Sequence, residues 1–322
     1  MKSKIHEYSN SNKKIVSKMK NIISIIAALM LSVSCFAQQD PMVSQYMFNQ
    51  LYLNPAYAGV RNAPDITGTF RKQWTALDGA PVTQTLSYDQ KLGSKMGAGL
   101  ILVNDKIGVT GTTDIYADYS YHLKLAKDMQ LSLGLMAGAS NYRADLTKLK
   151  IWDTDDQNFS SNIVGKWIPN FGFGSYLKGE KYFAGISIPK ILSYDPAAFL
   201  HVNMDKSPLY ERHYYLTGGY EIAVKEKYTI QPSLLFKYVP NAPMQVDVNV
   251  LGFYKNMFGI GLSYRSKNAM VALLELKTQK RFTIGYSFDY IFSNLSKYSS
   301  GSHEIMIAYD LEKGIASARF GK

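Results

Sequence analysis

The sequence predicts an all-β protein: a transmembrane antiparallel β-barrel of the outer-membrane type with about 14 strands. Three observations carry that prediction. Segments of about nine to eleven residues alternate strictly between apolar and small or polar side chains, the length and period of a tilted membrane strand. The chain opens with an export signal, yet no later stretch holds eighteen consecutive apolar residues, which excludes a helical membrane protein. The connections between segments are short on one side and mostly longer on the other, as in barrels with short periplasmic turns and long outer loops.

Composition agrees. The 322 residues include 24 Tyr, 15 Phe and 24 Gly but only one Cys. Aromatic residues suit interface girdles, and small residues suit places where strands bend or crowd.

Taken in chain order, residues 13–37, KKIVSKMKNIISIIAALMLSVSCFA, run from lysines through an apolar core to small residues. This is a secretory signal, with cleavage expected after Ala37. A lipoprotein cut before Cys35 is the competing reading, disfavoured by Ser32 where such signals prefer Leu or Val. Met19 is an alternative start that leaves the mature chain unchanged. Removing residues 1–37 takes away six Lys and one Glu, lowering the net charge from +11 to +6. The remaining Lys are scattered, so nucleic acid is not an expected partner. The mature chain has no cysteine, and hence neither disulfide nor thiolate site. The expected division is residues 1–37 as signal, 38–65 as an amino-terminal plug or docking segment, 66–311 as barrel and 312–322 as a carboxy-terminal extension.

The strands are expected to start near Ile66, Val82, Met96, Thr113, Gln130, Pro169, Lys181, Arg212, Tyr228, Met244, Met257, Ala269, Arg281 and Ser302. In Arg281–Tyr290, for example, Phe282, Ile284, Tyr286, Phe288 and Tyr290 alternate with Thr283, Gly285, Ser287 and Asp289. An even count is what a closed single-chain bacterial barrel requires. Connections after even-numbered segments are turn-like (QKLGSK, KLAKDM, KGEK, VKEK, YKNM and KTQK). Those after odd-numbered segments include Asn141–Ile168 and Pro189–Glu211. The amino terminus then lies on the periplasmic side.

On the inward face fall Arg71, Asp118, His122, Lys237, Asp247, Arg265, Asp289 and Glu304. Charges there must pair across the lumen or line water, because facing lipid is costly. Mixed sign favours a sealed or plugged lumen over a one-sign pore. A polar face needed only for folding is the competing reading.

No constellation for catalysis or metal binding emerges. His303-Glu304 lacks a second His and sits in a strand pattern. Asp153–Asn158 resembles a calcium loop but has no glycine at its sixth position, and the twelfth position is Val164. The Gly172/Gly174 and Gly259/Gly261 pairs follow strand alternation, and no Gly-x-Ser-x-Gly elbow occurs. No cofactor is expected.

The segment QQDPMVSQYMFNQLYLNPAYAG, Gln38–Gly59, breaks the alternation. Its Met42, Tyr46, Met47, Phe48, Leu51, Tyr52 and Leu53 are too apolar for open water. The Asn54-Pro55 step turns the chain toward the wall. A short helix or irregular stretch in the periplasmic mouth is expected, acting as a plug or as a docking strip for a periplasmic subunit.

That segment resembles the amino-terminal signature of the PorP/SprF family of type IX secretion system membrane proteins. The likeness continues through RKQWTALDGAPVTQTLSYDQKL, VNDKIG, PNFGFGSYL, KYVPNAPMQVDVN, GIGLSYR and GSHEIMIAYDL, in order over essentially the whole mature chain. The resemblance implies an integral outer-membrane, non-enzymatic protein of gliding and pathogenic members of one Gram-negative phylum. It further implies assistance in export or surface attachment of adhesins bearing a type IX carboxy-terminal sorting domain. For core members, it implies association with periplasmic ring or peptidoglycan-binding subunits. The alternatives are a porin-like or hydrophobic-solute channel and, lacking any nucleophile–base constellation, a barrel enzyme. Client contact is expected on the outer loops, through Trp152, Phe159 and Trp167 in the first and Tyr194, Phe199 and Tyr210 in the second. The competing reading packs these aromatics on each other or at the membrane rim.

Overall fold

The computed structural model describes residues 41–61, 63–149, 162–192, 211–240 and 242–312. Apart from short 3-10 turns, the regular structure among them is strand, and no helix is long and apolar enough to cross a membrane.

The first half of the wall is β1 (Asp65–Lys72), β2 (Val82–Leu92), β3 (Met96–Ile107), β4 (Thr110–Ala126), β5 (Met129–Ala144), β6 (Ile163–Lys178) and β7 (Tyr182–Ile188). It continues with β8 (Tyr214–Tyr220), β9 (Ile222–Lys225), β10 (Tyr228–Tyr238) and β11 (Gln245–Tyr254). The remaining strands are β12 (Phe258–Arg265), β13 (Ala269–Lys277), β14 (Phe282–Ile291) and β15 (Ser302–Asp310). Both β8 and β9 lie on the same edge of β10, so they are the halves of one strand broken at Glu221. The wall therefore has fourteen antiparallel positions. β15 pairs with β1 from Asp65↔Asp310 to Lys72↔His303, which closes the barrel and leaves no open seam there.

The expected strand starts hold to within a few residues, with β6 the exception. It begins at Ile163, six residues before the expected Pro169. Proline has no N–H for the ladder and so reads in sequence as a strand start. Here the β5–β6 hairpin runs on past the Ala139↔Pro169 pair, through Asn141↔Trp167 to Ala144↔Ile163. The loop expected over 141–168 is correspondingly shorter, and Trp167 belongs to the wall. Two connections on the loop side are tight: β3 to β4 turns at Gly108, in the left-handed region at φ 56°, and β12 to β13 at Lys267, φ 58°.

Alternation sorts the side chains. Outward positions such as Ile260 and Leu262 are 66% and 59% exposed, whereas the inward Ser263 and Arg265 are buried. Exposed aromatics mark both ends of the apolar band. Tyr182, Tyr228, Tyr254 and Phe282 lie toward the turns, and Phe171, Tyr238, Tyr264 and Tyr290 toward the loops. Such paired girdles belong to barrels that sit in lipid.

The core is inside the barrel. Leu51, Ala56, Tyr57, Ala58 and Val60 pack on Ile101, Val103, Tyr116, Met136, Tyr176 and Phe183. Tyr46, Met47, Phe48 and Leu53 pack on Leu235, Leu251, Phe253, Val271, Leu273 and Met306 on the other side. Tyr52 touches both groups. The chain between Pro41 and Arg61 is therefore what fills the lumen.

Candidate functional site

The inner segment is built from two single 3-10 turns, Gln50–Tyr52 and Pro55–Tyr57. The second has a clear local cause. Asn54 caps it, its Oδ1 accepting from Ala56 N at 2.9 Å, and Pro55 supplies a pre-set φ at the first position. The same Asn54 amide donates to the carbonyls of Ser175 at 3.0 Å and Ile186 at 3.5 Å, so the cap also ties the turn to β6 and β7. Ser187 Oγ donates to Leu53 O at 2.6 Å, and Ser120 Oγ to Ala58 O at 2.5 Å. Backbone polar groups that lie buried without helix or ladder thus find wall partners.

Inward glycines let the segment lie directly on the wall. A Cβ at Gly97 would run into the Ala58 carbonyl, and one at Gly134 into the backbone at Pro55 and Ala56. In sequence these glycines look like ordinary small inward residues.

At the loop end the segment is held by charge. Glu304 accepts from the backbone N–H groups of Ser44 (2.8 Å) and Gln45 (3.0 Å), one on each oxygen. The Ser44 hydroxyl donates to Asp289 at 2.8 Å and accepts from Arg71 at 2.9 Å and Arg265 at 3.3 Å. Arg71 bridges Asp289 (2.7 Å) and Glu304 (3.2 Å), and Arg265 bridges Asp247 (3.2 Å) and Asp289 (3.4 Å). All five charged side chains are buried. Such a cluster survives only because each charge is paired and hydrogen-bonded. Met42 Sδ accepts from Arg265 at 2.9 Å, and Tyr46 Oη accepts from Asn249 at 2.8 Å.

These clamp residues occupy the loop-side ends of their strands: Arg71 is next to last in β1 and Arg265 is last in β12. The other end of the segment is at the turn side. Gly59 N donates to Asp89 Oδ1 at 2.5 Å, Lys178 to Val60 O at 3.2 Å, and Arg61 pairs with Asp65 (3.1 Å) and Asp310 (2.8 Å). Burial alone would lower the Arg61 pKa, but Asp65, Tyr57 and Asp310 hold the guanidinium above its usual value. The segment therefore descends the lumen from one end to the other. This corrects the expectation that it would sit at or in the periplasmic mouth. Its apolar residues are too many for a mouth, and only the full interior supplies two core faces for them.

Of the eight inward polar residues named from sequence, Arg71, Asp247, Arg265, Asp289 and Glu304 come together in the clamp. Asp118, His122 and Lys237 are buried elsewhere on the wall. His122 Nδ1 lies 2.7 Å from Ser132 Oγ, and neither Asp118 carboxylate oxygen has a hydrogen-bond partner among the described residues. Of the nine segment residues, Tyr46, Met47, Phe48, Leu51, Leu53, Asn54 and Pro55 are buried, while Met42 and Tyr52 are half-buried. Trp167 is exposed on the outer face of β6, 54% accessible, which corrects its placement in a loop. Trp152, Phe159, Tyr194, Phe199 and Tyr210 lie outside the described residues, as does most of the Asp153–Val164 stretch. Sequence reasoning missed Ser44 and Gln45, whose roles depend on partners about 260 residues away. It also missed the buried Lys190–Asp114 pair at 3.1 Å, which spans from the end of β7 to β4. His303 and Glu304 face opposite sides: His303 Nδ1 is 2.7 Å from Tyr286 Oη, and Glu304 points inward.

Solved structures with a similar arrangement include a KdgM porin, 12% identical, covering 77% of this chain and 99% of that one with a TM-score of 0.37. A Pseudomonas aeruginosa FadL homologue is 11% identical over 85% of this chain and 95% of that one, with a TM-score of 0.45. The CymD monoaromatic hydrocarbon channel is 11% identical over 83% and 91%, with a TM-score of 0.42. No curated protein matches in sequence. The family described as type IX secretion system membrane protein PorP/SprF matches residues 35–309. With that match over most of its length and a closed, lipid-facing barrel, the chain belongs to the PorP/SprF family of type IX secretion system membrane proteins, in the outer membrane.

Proposed function

We propose that this protein is a non-enzymatic part of the type IX secretion system that assists export or surface anchoring of a client adhesin. It does so by binding the adhesin, which carries a type IX carboxy-terminal sorting domain, or the periplasmic ring or peptidoglycan-binding subunits of the apparatus. A signal peptide cleaved after Ala37 delivers it, and the segment 38–65 acts as a plug or as a docking strip for a periplasmic subunit. Gliding motility is the process such a client would serve.

The observation that carries this reading is the occupied lumen. A chain segment runs through it from the clamp at Ser44 to the Arg61 ion pairs, with apolar packing on both sides. A porin-like or hydrophobic-solute channel needs a continuous path that this segment obstructs. The turn-side mouth retains a cavity of about 270 Å³ bordered by Phe48, Arg61, Glu221 and Lys255, which suits docking from the periplasm. Client contact falls on the loop side, where Trp167 is exposed on the outer face of the wall, Trp152 and Phe159 precede it in sequence, and Tyr194, Phe199 and Tyr210 follow.

Gene deletion followed by surface proteomics and a permeability assay tests the proposal. Loss of one or a few adhesins at normal permeability supports it, and an unchanged surface proteome refutes it. Removing residues 40–58 then separates the segment's two roles. New conductance in planar bilayers identifies a plug, whereas loss of the complex without leakage identifies a docking strip.

A further inference from the structure

One apolar recess lies outside the lumen, on the lipid-facing wall. It is a groove of about 750 Å³ on the outer wall, lined almost wholly by apolar atoms. Its floor is Gly252, the outward-facing residue of β11 paired with Ile230 on one side and Ile260 on the other. Lacking a side chain there, the wall is recessed between those two exposed isoleucines. Tyr228, Tyr254 and Phe258 form the rim on the turn side. The Tyr228 and Tyr254 rings are 5.1 Å apart, so this rim is a packed edge.

Directly beyond that rim the charge changes sharply. The six turns QKLGSK, KLAKDM, KGEK, VKEK, YKNM and KTQK carry eleven Lys against three acids, a balance of +8. Residues 38–322 as a whole carry +6, so the rest of that chain is slightly negative and the excess is concentrated at the turn end. Lys227 and Lys255 are exposed in the two turns bordering the groove, and Lys255 Nζ lies 5.4 Å from the Tyr254 ring centroid, over the rim itself.

We infer that the groove is a binding site for an anionic phospholipid of the turn-side leaflet, its acyl chain over Gly252 and its headgroup at Lys227 and Lys255. An apolar trough inside the lipid-facing band can take a hydrocarbon chain, and lysines just outside the aromatic girdle meet a phosphate at headgroup depth. A water-soluble acidic protein would use the lysines but have no cause to enter the trough. This inference rests on the fold and its charge distribution, independently of the client proposal.

The test is native mass spectrometry of the full mature chain released from detergent, titrated with phosphatidylglycerol or phosphatidylethanolamine. The wild type is expected to retain phosphatidylglycerol preferentially. K227Q/K255Q should lower that retention about tenfold while keeping the zwitterionic lipid, since juxtamembrane lysines attract anionic lipid individually. G252L should lose both lipids. A Cβ at Gly252 meets only the Ile260 carbonyl at 3.9 Å, so the wall accommodates it. A117L, exposed on the outer face of β4, is the control and should behave as wild type. Heat-dependent gel mobility verifies that every variant is a folded barrel. No lipid preference in the wild type, unchanged retention in K227Q/K255Q, or lipid retained by G252L would each overturn the site.

Discussion

Replacing Arg71 with methionine removes the cation shared by Asp289 at 2.7 Å and Glu304 at 3.2 Å. At an effective dielectric of about 20, each contact represents roughly 5–6 kcal/mol of gross attraction. Most of that is offset in the wild type by the cost of burying the guanidinium. What the variant suffers is the reverse problem, carboxylates left buried with too few cations. Two Arg facing Asp247, Asp289 and Glu304 become one. Asp289 retains Ser44 and Arg265, and Glu304 retains two backbone N–H groups but no cation. The expected loss is about 3–5 kcal/mol, the range for breaking a buried pair from one side. Urea unfolding of the barrel in lipid vesicles measures it. Because Glu304 holds Ser44 and Gln45, the loosened clamp should also raise conductance in planar bilayers. Adding E304Q removes the unpaired charge while retaining an acceptor oxygen, so R71M/E304Q should recover roughly 1–3 kcal/mol of the loss. An R71M protein within about 0.5 kcal/mol of wild type, or a double variant whose losses simply add, would refute the account of the clamp.

Other perturbations report on the rest of the segment. N54A removes the cap and both wall bonds, and should cost about 1–2 kcal/mol in the same unfolding assay. G134V drives a side chain into the backbone at Ala56, so protease cleavage between residues 41 and 60 should rise, whereas the outward G252L should leave it unchanged. Exchanging the loops 145–162 and 189–211 between paralogues should transfer client specificity, measured by which adhesin reaches the surface. Specificity that stays with the barrel would place recognition elsewhere.

Much of the wall was legible in the chain because its cause is local. A residue such as Ile260 faces lipid and its neighbour Gly261 faces inward by the two-residue period alone, so fourteen strands and their closure follow from counting. Pro169 misled for an equally local reason, since its missing N–H looks like a strand start when the neighbouring hairpin is unseen. The inward charges could be identified one by one as residues that lipid would not tolerate. The apolar character of Met42–Leu53 required shelter, and the Asn54-Pro55 step required a turn.

Tertiary structure alone decided where that shelter is and what holds it. Arg71, Arg265, Asp289 and Glu304 meet at Ser44 because closure of β15 on β1 brings strands from opposite ends of the chain side by side. Register across that seam sets which charges lie at the loop end, and no local pattern encodes it. Likewise, the glycines that admit the segment are indistinguishable in sequence from other small inward residues until the backbone of Ala56 or Ala58 lies against them. Periodicity along a strand is a property of neighbours and can be read from the chain. Occupation of the lumen depends on contacts across the closed barrel, and these exist only once the wall has formed.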